Sequence, residues 1–319
     1  MKKQVFILFF SVLIFRNHSI GQIDSPKLIS DDITLQVHQP IKIGEVMAST
    51  PTETWIGKDN FKNLDDIQET LVRNENDAKS WKGRKCAVVL TYDDALNVHL
   101  DNAIPALDSL SLKGTFYLTA SSDAGTKRIA NWRKASANGH ELGNHTLFHP
   151  CDASVSGMSW VKPEYDLSKY SLRKIQDEIK MCNTYLKAID GKDKRTFAFT
   201  CGHKKVAEGE FMQTLESEFI AARAVRHEMH TLAEVKLMDV DCYGINGETG
   251  DQLIQLVKQA QASGKLLVFL FHGVGGEHSL NVSLPAHRQL LIYLKQHEKD
   301  IWVAPMIEVA EHIKSHQEK

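Results

Sequence analysis

Missing from this chain is any excess of charge: 38 basic residues stand against 40 acidic ones, a net of -2 with the histidines neutral. That balance gives no electrostatic footing for nucleic acid. A cysteine framework is missing too. Cys86, Cys151, Cys182, Cys201 and Cys242 have none of the paired spacings of a zinc knuckle or a disulfide-dense scaffold. An oxidising compartment permits one or two bridges, and the odd count leaves at least one thiol over. After Phe15 no segment is apolar enough to cross a bilayer. There is no internal repeat and no low-complexity tract.

What is present begins with Met1-Lys-Lys-Gln, a short basic start, followed by an apolar run from Val5 to Phe15 interrupted only by Ser11, then small and polar residues to Gln22. This reads as a secretory signal peptide over residues 1–22, so the mature chain is expected outside the cytoplasm, periplasmic or secreted, without a membrane span. No cysteine near its end suggests a lipid anchor. Residues 23–84 have scattered apolar positions and recurring Ser, Thr, Asp, Asn and Pro, and are expected to form an extension packed along the main domain. Residues 85–319 are long enough for one large domain.

In that domain strand and helix patterns alternate. Strands are expected at Cys86 to Tyr92, Gly114 to Leu118, Glu141-Leu142, Thr196 to Phe199, Phe219 to Val225, Leu266 to Phe271 and Ile301 to Ala304. Helices are expected through Asn102 to Leu107, Leu172 to Ile189, Gly250 to Ala262, Ala286 to Gln296 and Ile307 to Ile313. Apolar strands in such alternation imply parallel strands buried on both faces, hence an α/β barrel or a doubly wound sheet.

Three short pieces sit where apolar strands end: Tyr92-Asp93-Asp94-Ala95, His145-Thr-Leu-Phe-His149 and Phe271-His272-Gly273. On adjacent parallel strands they share one face, where two histidines and a carboxylate make a metal-hydrolase ligand set. His145 and His149, four apart, would project from one side of a helical turn that Pro150 ends. Asp94 would add an oxygen, leaving an open position on a zinc-like divalent ion. Asp93, opposite in direction on an extended segment, is then the candidate general base. The competing reading of the aspartate pair is a helix N-cap.

From about Trp81 onward the chain resembles the polysaccharide deacetylases of carbohydrate esterase family four. Trp81-Lys-Gly-Arg-Lys-Cys-Ala-Val-Val-Leu-Thr-Tyr-Asp-Asp94 resembles that family's first motif, Leu112-Lys-Gly-Thr-Phe-Tyr117 its second strand, and Gly139-His-Glu-Leu-Gly-Asn-His-Thr-Leu-Phe-His149 its histidine motif. The resemblance implies a distorted (β/α) barrel of about seven parallel strands. It implies Asp94, His145 and His149 as ligands of Zn2+ or another divalent metal, Asp93 as base and His272 as the acid that protonates the leaving group. It also implies a backbone N–H at Cys201 as oxyanion donor. His278, in the loop after His272, is either solvated, the default for such a histidine, or in touch with substrate, and Trp132 and Trp160 are either sugar platforms or buried and structural.

The third motif departs from the family pattern. Phe197-Ala-Phe-Thr-Cys-Gly202 lacks its arginine, which leaves Arg223 or Arg226 to reach the base, and Asp239 or Asp241 to orient His272. The implied reaction is removal of acetyl groups from a glycan by metal-activated water. The alternatives are an O-acetyl esterase of the acetylxylan type, and a carbohydrate-binding protein with impaired catalysis.

Overall fold

The computed structural model describes residues 81–318 and, before them, only the backbone strands Val5–Leu8, Ser11–Val12 and Leu35–Val37, which form a small sheet of their own. The chain divides into two compact units, Met1–Leu71 and Val72–Lys319. The expected leader, and the extension up to Ser80, lie otherwise outside the described residues. Among the described residues no helix is long and apolar enough to cross a membrane.

The second unit is built on eight parallel strands. They are β1 (Cys86–Asp93), β2 (Thr115–Leu118), β3 (Glu141–Asn144), β4 (Thr196–Ala198), β5 (Ala221–Arg223), β6 (Tyr243–Gly244), β7 (Leu266–Phe271) and β8 (Ile301–Val303). Seven run in the order β5-β4-β3-β2-β1-β7-β6, and β8 pairs with the first half of β1. The segment leading into β6 also bonds to β5: Val240 N–H donates to Ala222 and Ala224 N–H to Val240, both at 2.8 Å. This curls the seven strands of that path, with β8 added beside β1, into a half-barrel of the expected distorted (β/α) type.

β1 sits at its centre because its alternate residues fill two cores. Val88, Leu90 and Tyr92 pack in one apolar cluster, while Ala87 and Val89 pack in another with Val268, Leu270 and Val309. A strand buried on both faces needs that unbroken apolar run. Helices follow the strands: α1 (Ile104–Asp108, continuing a π-turn at His99–Ala103), α2 (Asp123–Lys127), α3 (Ile129–Ala137), α4 (Leu172–Asp190), α5 (Gly250–Ser263), α6 (Leu284–Gln296) and α7 (Met306–Gln317). α4 is started by the Ser171 side chain and stopped by Gly191 at φ 73°, a conformation open to glycine at little cost.

Part of the histidine motif serves the barrel rather than the site. Glu141, buried at the start of β3, accepts from Thr115 Oγ1 (2.8 Å), from Thr196 Oγ1 and from the Ile307 N–H (2.9 Å), tying two strands to α7. Burial raises its carboxyl despite these bonds. At Gly143 a Cβ would lie 2.4 Å from the Tyr117 ring, so only glycine lets that ring pack there.

Candidate active site

The C-terminal ends of the parallel strands carry the polar residues. Asp93 ends β1, Asn144 ends β3, Arg223 ends β5 and Phe271 ends β7, which places Asp94, His145 and His272 just beyond. One donor atom each from Asp94, His145 and His149 lies within 4.8 Å of the others. The Asp94 Oδ1 is 3.5 Å from His145 Nε2 and 3.2 Å from His149 Nε2.

The local geometry differs from the helical turn expected for the histidines. His145 to His149 form a loop in which Thr146 (φ 63°) and His149 (φ 55°) are left-handed. Asn144 and Thr146 hold it, accepting from the Thr146 N–H (2.8 Å) and the His149 N–H (2.9 Å). Local side-chain acceptors of this kind compete with the helix pattern, which is why the spacing misled. Asp94 is not extended either: at φ 79° it turns the chain, bringing both aspartates to the same histidine. His145 Nε2 lies 3.7 Å from Asp93 Oδ2. A left-handed aspartate is uncommon, and such residues persist where surrounding contacts hold them.

The fit to a divalent cation rests on two features. His145 Nδ1–H donates to the Ala198 carbonyl at 2.9 Å, which leaves the Nε2 lone pair facing Asp94. Asp94 Oδ1 is buried without a hydrogen bond, an acceptor that calls for a cation. The protonation equilibria reflect the crowding. Burial pushes the Asp94 carboxyl up, but the close approach of His145 and the neighbouring imidazoles of His149 and His272 outweigh it and hold it well below the usual carboxylate range. His145 is depressed by burial and raised further by Asp93 and Asp94, for a net upward shift. At His149 burial dominates over Asp94 and pushes the imidazole down to about 4.

Asp93 is buried, and its Oδ2 accepts from Arg223 Nη2 while its Oδ1 has no hydrogen-bond partner. Arg223 is also buried. Its guanidinium lies 5.2 Å from the Tyr117 ring centroid, over the ring, and its Nη1 donates to the Ala224 carbonyl at 2.9 Å. Of the two arginines weighed from the sequence, Arg223 touches Asp93. Arg226 instead forks onto Asp241 (2.9 and 3.1 Å).

Neither carboxylate expected to orient His272 does so. Asp241 is taken by Arg226 and by His230 Nε2 at 2.8 Å, and Asp239 by Lys204 and Arg226. The reason is topological: the chain from Arg226 to Cys242 folds on itself before β6, so Asp241 meets Arg226 and His230, while Asp239 meets Arg226 and, from the segment after β4, Lys204. His272 Nδ1 is buried and unpartnered, and its Nε2 is 4.0 Å from Asp94 Oδ2. Burial depresses this imidazole despite both aspartates. The His272 carbonyl accepts from His99 Nε2 at 2.7 Å, a buried histidine absent from the sequence-level candidates.

Cys201 is not a free thiol but is bonded to Cys151, across a separation of 50 residues. The bridge joins the loop after His149 to the third motif, where Thr200 Oγ1 donates to the Pro150 carbonyl. Cys201 itself is left-handed, at φ 54°. Because two of its sulfurs form this bond, the His149, Cys151 and Cys201 grouping is no thiolate metal site. Cys86, Cys182 and Cys242 are free and buried. Trp132 is core, whereas Trp160 is 60% exposed with its ring 6.5 Å from that of His149.

Residues 81–216 match the family described as polysaccharide deacetylase. No curated protein matches the chain in sequence. Among solved structures the chain is similar to a protein of Mycobacterium smegmatis assigned as a polysaccharide deacetylase, at 15% identity over 73% of this chain and 92% of that one, with a TM-score of 0.53. It is also similar to a probable polysaccharide deacetylase from Pseudomonas aeruginosa PAO1 (12% identity, 72% and 92% covered, TM-score 0.50) and to Puue allantoinase (13% identity, 72% and 91% covered, TM-score 0.50). At these identities the likeness is one of fold.

Proposed function

We propose, from the match of residues 81–216 to the polysaccharide deacetylase family, hydrolases acting on acetyl groups, that the chain is an exported, metal-dependent deacetylase of a carbohydrate outside the cytoplasm. The observation that carries this reading is the convergence of Asp93, Asp94, His145, His149 and His272 at the ends of β1, β3 and β7. Asp94, His145 and His149 would hold Zn2+ or another divalent transition metal, as two imidazoles and one carboxylate suit such an ion. The chemistry a bound ion supplies there is polarisation of the acetyl carbonyl and acidification of water.

The chain's own residues do the rest. Arg223 occupies Asp93 Oδ2, so Oδ1 is the oxygen free to take a proton from the attacking water. His272 gives a proton to the departing nitrogen or oxygen of the sugar. The backbone N–H at Cys201 is the proposed donor to the tetrahedral oxyanion, in a loop braced by the disulfide. Exposed Trp160 beside His149 supports a carbohydrate substrate, since an aromatic face suits the apolar face of a sugar ring. Amide and ester acetyl groups are served by the same atoms, so N- and O-deacetylation are separated by assay.

The test is acetate release from N-acetylated chitooligosaccharides and O-acetylated xylooligosaccharides by the metal-loaded protein, with and without chelator. Metal-dependent release from either supports the reading, and the preferred substrate decides between amide and ester. Glycan binding without acetate release would make it a binding protein instead. In His272→Ala, sugar amides and alkyl esters should lose far more rate than an aryl acetate, whose phenolate leaves without a proton.

A further inference from the structure

Beyond His272 the chain doubles back onto the site. The reversal uses Gly275 (φ 79°) and Gly276 (φ 138°), followed by Glu277, a non-glycine residue at φ 67°. Backbone of this kind is open to glycine and costly for other residues, so Glu277 must be held there. Its carboxylate accepts from Asn97 Nδ2 at 2.8 Å and from the Val98 N–H at 2.7 Å, in the loop that follows Asp94. Gly276 N–H donates to Asn281 Oδ1 at 2.8 Å, and Gly273-Val274 pairs with Asn281-Val282.

The outcome is a fixed position for His278. Its ring stacks on that of His272, with centroids 4.7 Å apart and planes at 14°. Its Nε2 is 4.0 Å from Asp94 Oδ2, the same distance as the Nε2 of His272. His278 Nδ1 lies 3.0 Å from the Leu280 N–H and 3.4 Å from the Leu280 carbonyl; the shorter contact makes Nδ1 the acceptor, which puts the hydrogen of the neutral ring on Nε2. An imidazole in that tautomer has no lone pair at Nε2 for a metal and offers a donor instead. The histidine is thus neither solvated by default nor a fourth ligand.

We propose that His278 contacts substrate: its Nε2–H donates to a sugar hydroxyl beside the acetylated position, while His272 serves the departing atom. The inference rests on the deacetylase reading and narrows its substrate class. Two parallel imidazoles converging on one carboxylate present two polar contacts side by side. A sugar ring carries polar atoms on neighbouring carbons that can use both, whereas a simple acetate ester has only one.

The test compares His278→Ala and His278→Gln with the unaltered protein on N-acetylated chitotetraose, O-acetylated xylotriose and 4-nitrophenyl acetate, with metal content and melting temperature measured alongside. On the glycan that the unaltered protein deacetylates, His278→Ala should lower kcat/KM by about 10-fold, the scale of one hydrogen bond, and by several times more than on 4-nitrophenyl acetate. His278→Gln, which retains an N–H donor, should recover part of the loss, with metal content and melting temperature unchanged in both. Equal losses on glycan and aryl acetate, a loss of metal, or unaltered glycan kinetics would overturn the proposal while leaving the deacetylase reading intact. Absence of hydrolysis by the unaltered protein would overturn both.

Discussion

The Arg223 guanidinium reaches from the end of β5 to donate to Asp93 at the end of β1, a buried ion pair between residues 130 apart in sequence. Burial alone would lower the guanidinium's pKa, but the Asp93 charge overrides this and raises it. Removing one partner of such a pair leaves a buried charge uncompensated. Arg223→Ala should cost about 3–5 kcal/mol of stability by denaturant unfolding and lower turnover as well. A surface-like loss of less than about 1 kcal/mol would mean that the pair is solvated in solution.

Asp93→Asn keeps the shape of the side chain and an acceptor for Arg223 but cannot take a proton from water. Turnover should fall about 100-fold or more, with metal content unchanged. Steady-state kinetics and elemental analysis check this together. Unaltered turnover would assign proton removal to another group.

The double variant His145→Ala, His149→Ala should bind no stoichiometric divalent metal while keeping the far-ultraviolet circular dichroism of the native protein. Both rings lie at loop positions beyond β3, so their loss spares the strand ladder. Metal content equal to that of the unaltered protein would rule out this ligand set.

The Cys151–Cys201 bridge closes a loop of 50 residues and pins the segment that carries His149. Cys151→Ser with Cys201→Ser should cost about 4 kcal/mol, the scale for a loop of that length, and weaken metal affinity by roughly 10-fold. Denaturant unfolding and calorimetric titration measure the two effects. Alkylation under denaturing, non-reducing conditions should label Cys86, Cys182 and Cys242 alone.

Two histidines away from the proposed metal ligands tie stability to pH. Burial pushes His99 down to about 4 and His287 down to about 3, from an ordinary value of 6.5. His287 is enclosed with Tyr92, whose hydroxyl is 2.8 Å from its Nε2. Between the folded and unfolded values the unfolded chain binds more protons, so stability should fall as pH drops below about 6.5 and go on falling toward 4. The slope is about 1.4 kcal/mol per pH unit for each proton taken up. His287→Gln should shallow that slope by up to one proton in a pH series of denaturant melts. An unchanged slope would mean that this histidine takes up its proton alike in the folded and unfolded states.

Much of the barrel was legible because parallel strands buried on both faces leave continuous apolar runs. Leu266–Phe271 lies where the sequence put it, and Ala221–Arg223 is a shortened form of the run from Phe219 to Val225. Helix α3 escaped notice because its buried residues are only Trp132, Ala135 and Ser136, a face too thin to give a clear period. β6 is two residues long and is recognisable only by its pairing with β7.

For the candidate site, residue types and their places at strand ends were readable from the sequence, since the first polar residue after a buried run marks where a strand leaves the core. Asp93, Asp94, His145 and His272 were all located in this way. Local signals ranked their partners poorly. Arg223 and Arg226 differ little in sequence context, and Asp239 and Asp241 were equally plausible neighbours of His272. Only the packing of β5 against β4, and the fold of the chain before β6, separated Arg223 from Arg226 and turned both acids away. The same holds for the bridge from Cys151 to Cys201, the stacking of His278 on His272 and the exposure of Trp160. Burial and strand propensity are local properties written along the chain, whereas partnership depends on which strand ends the barrel brings together.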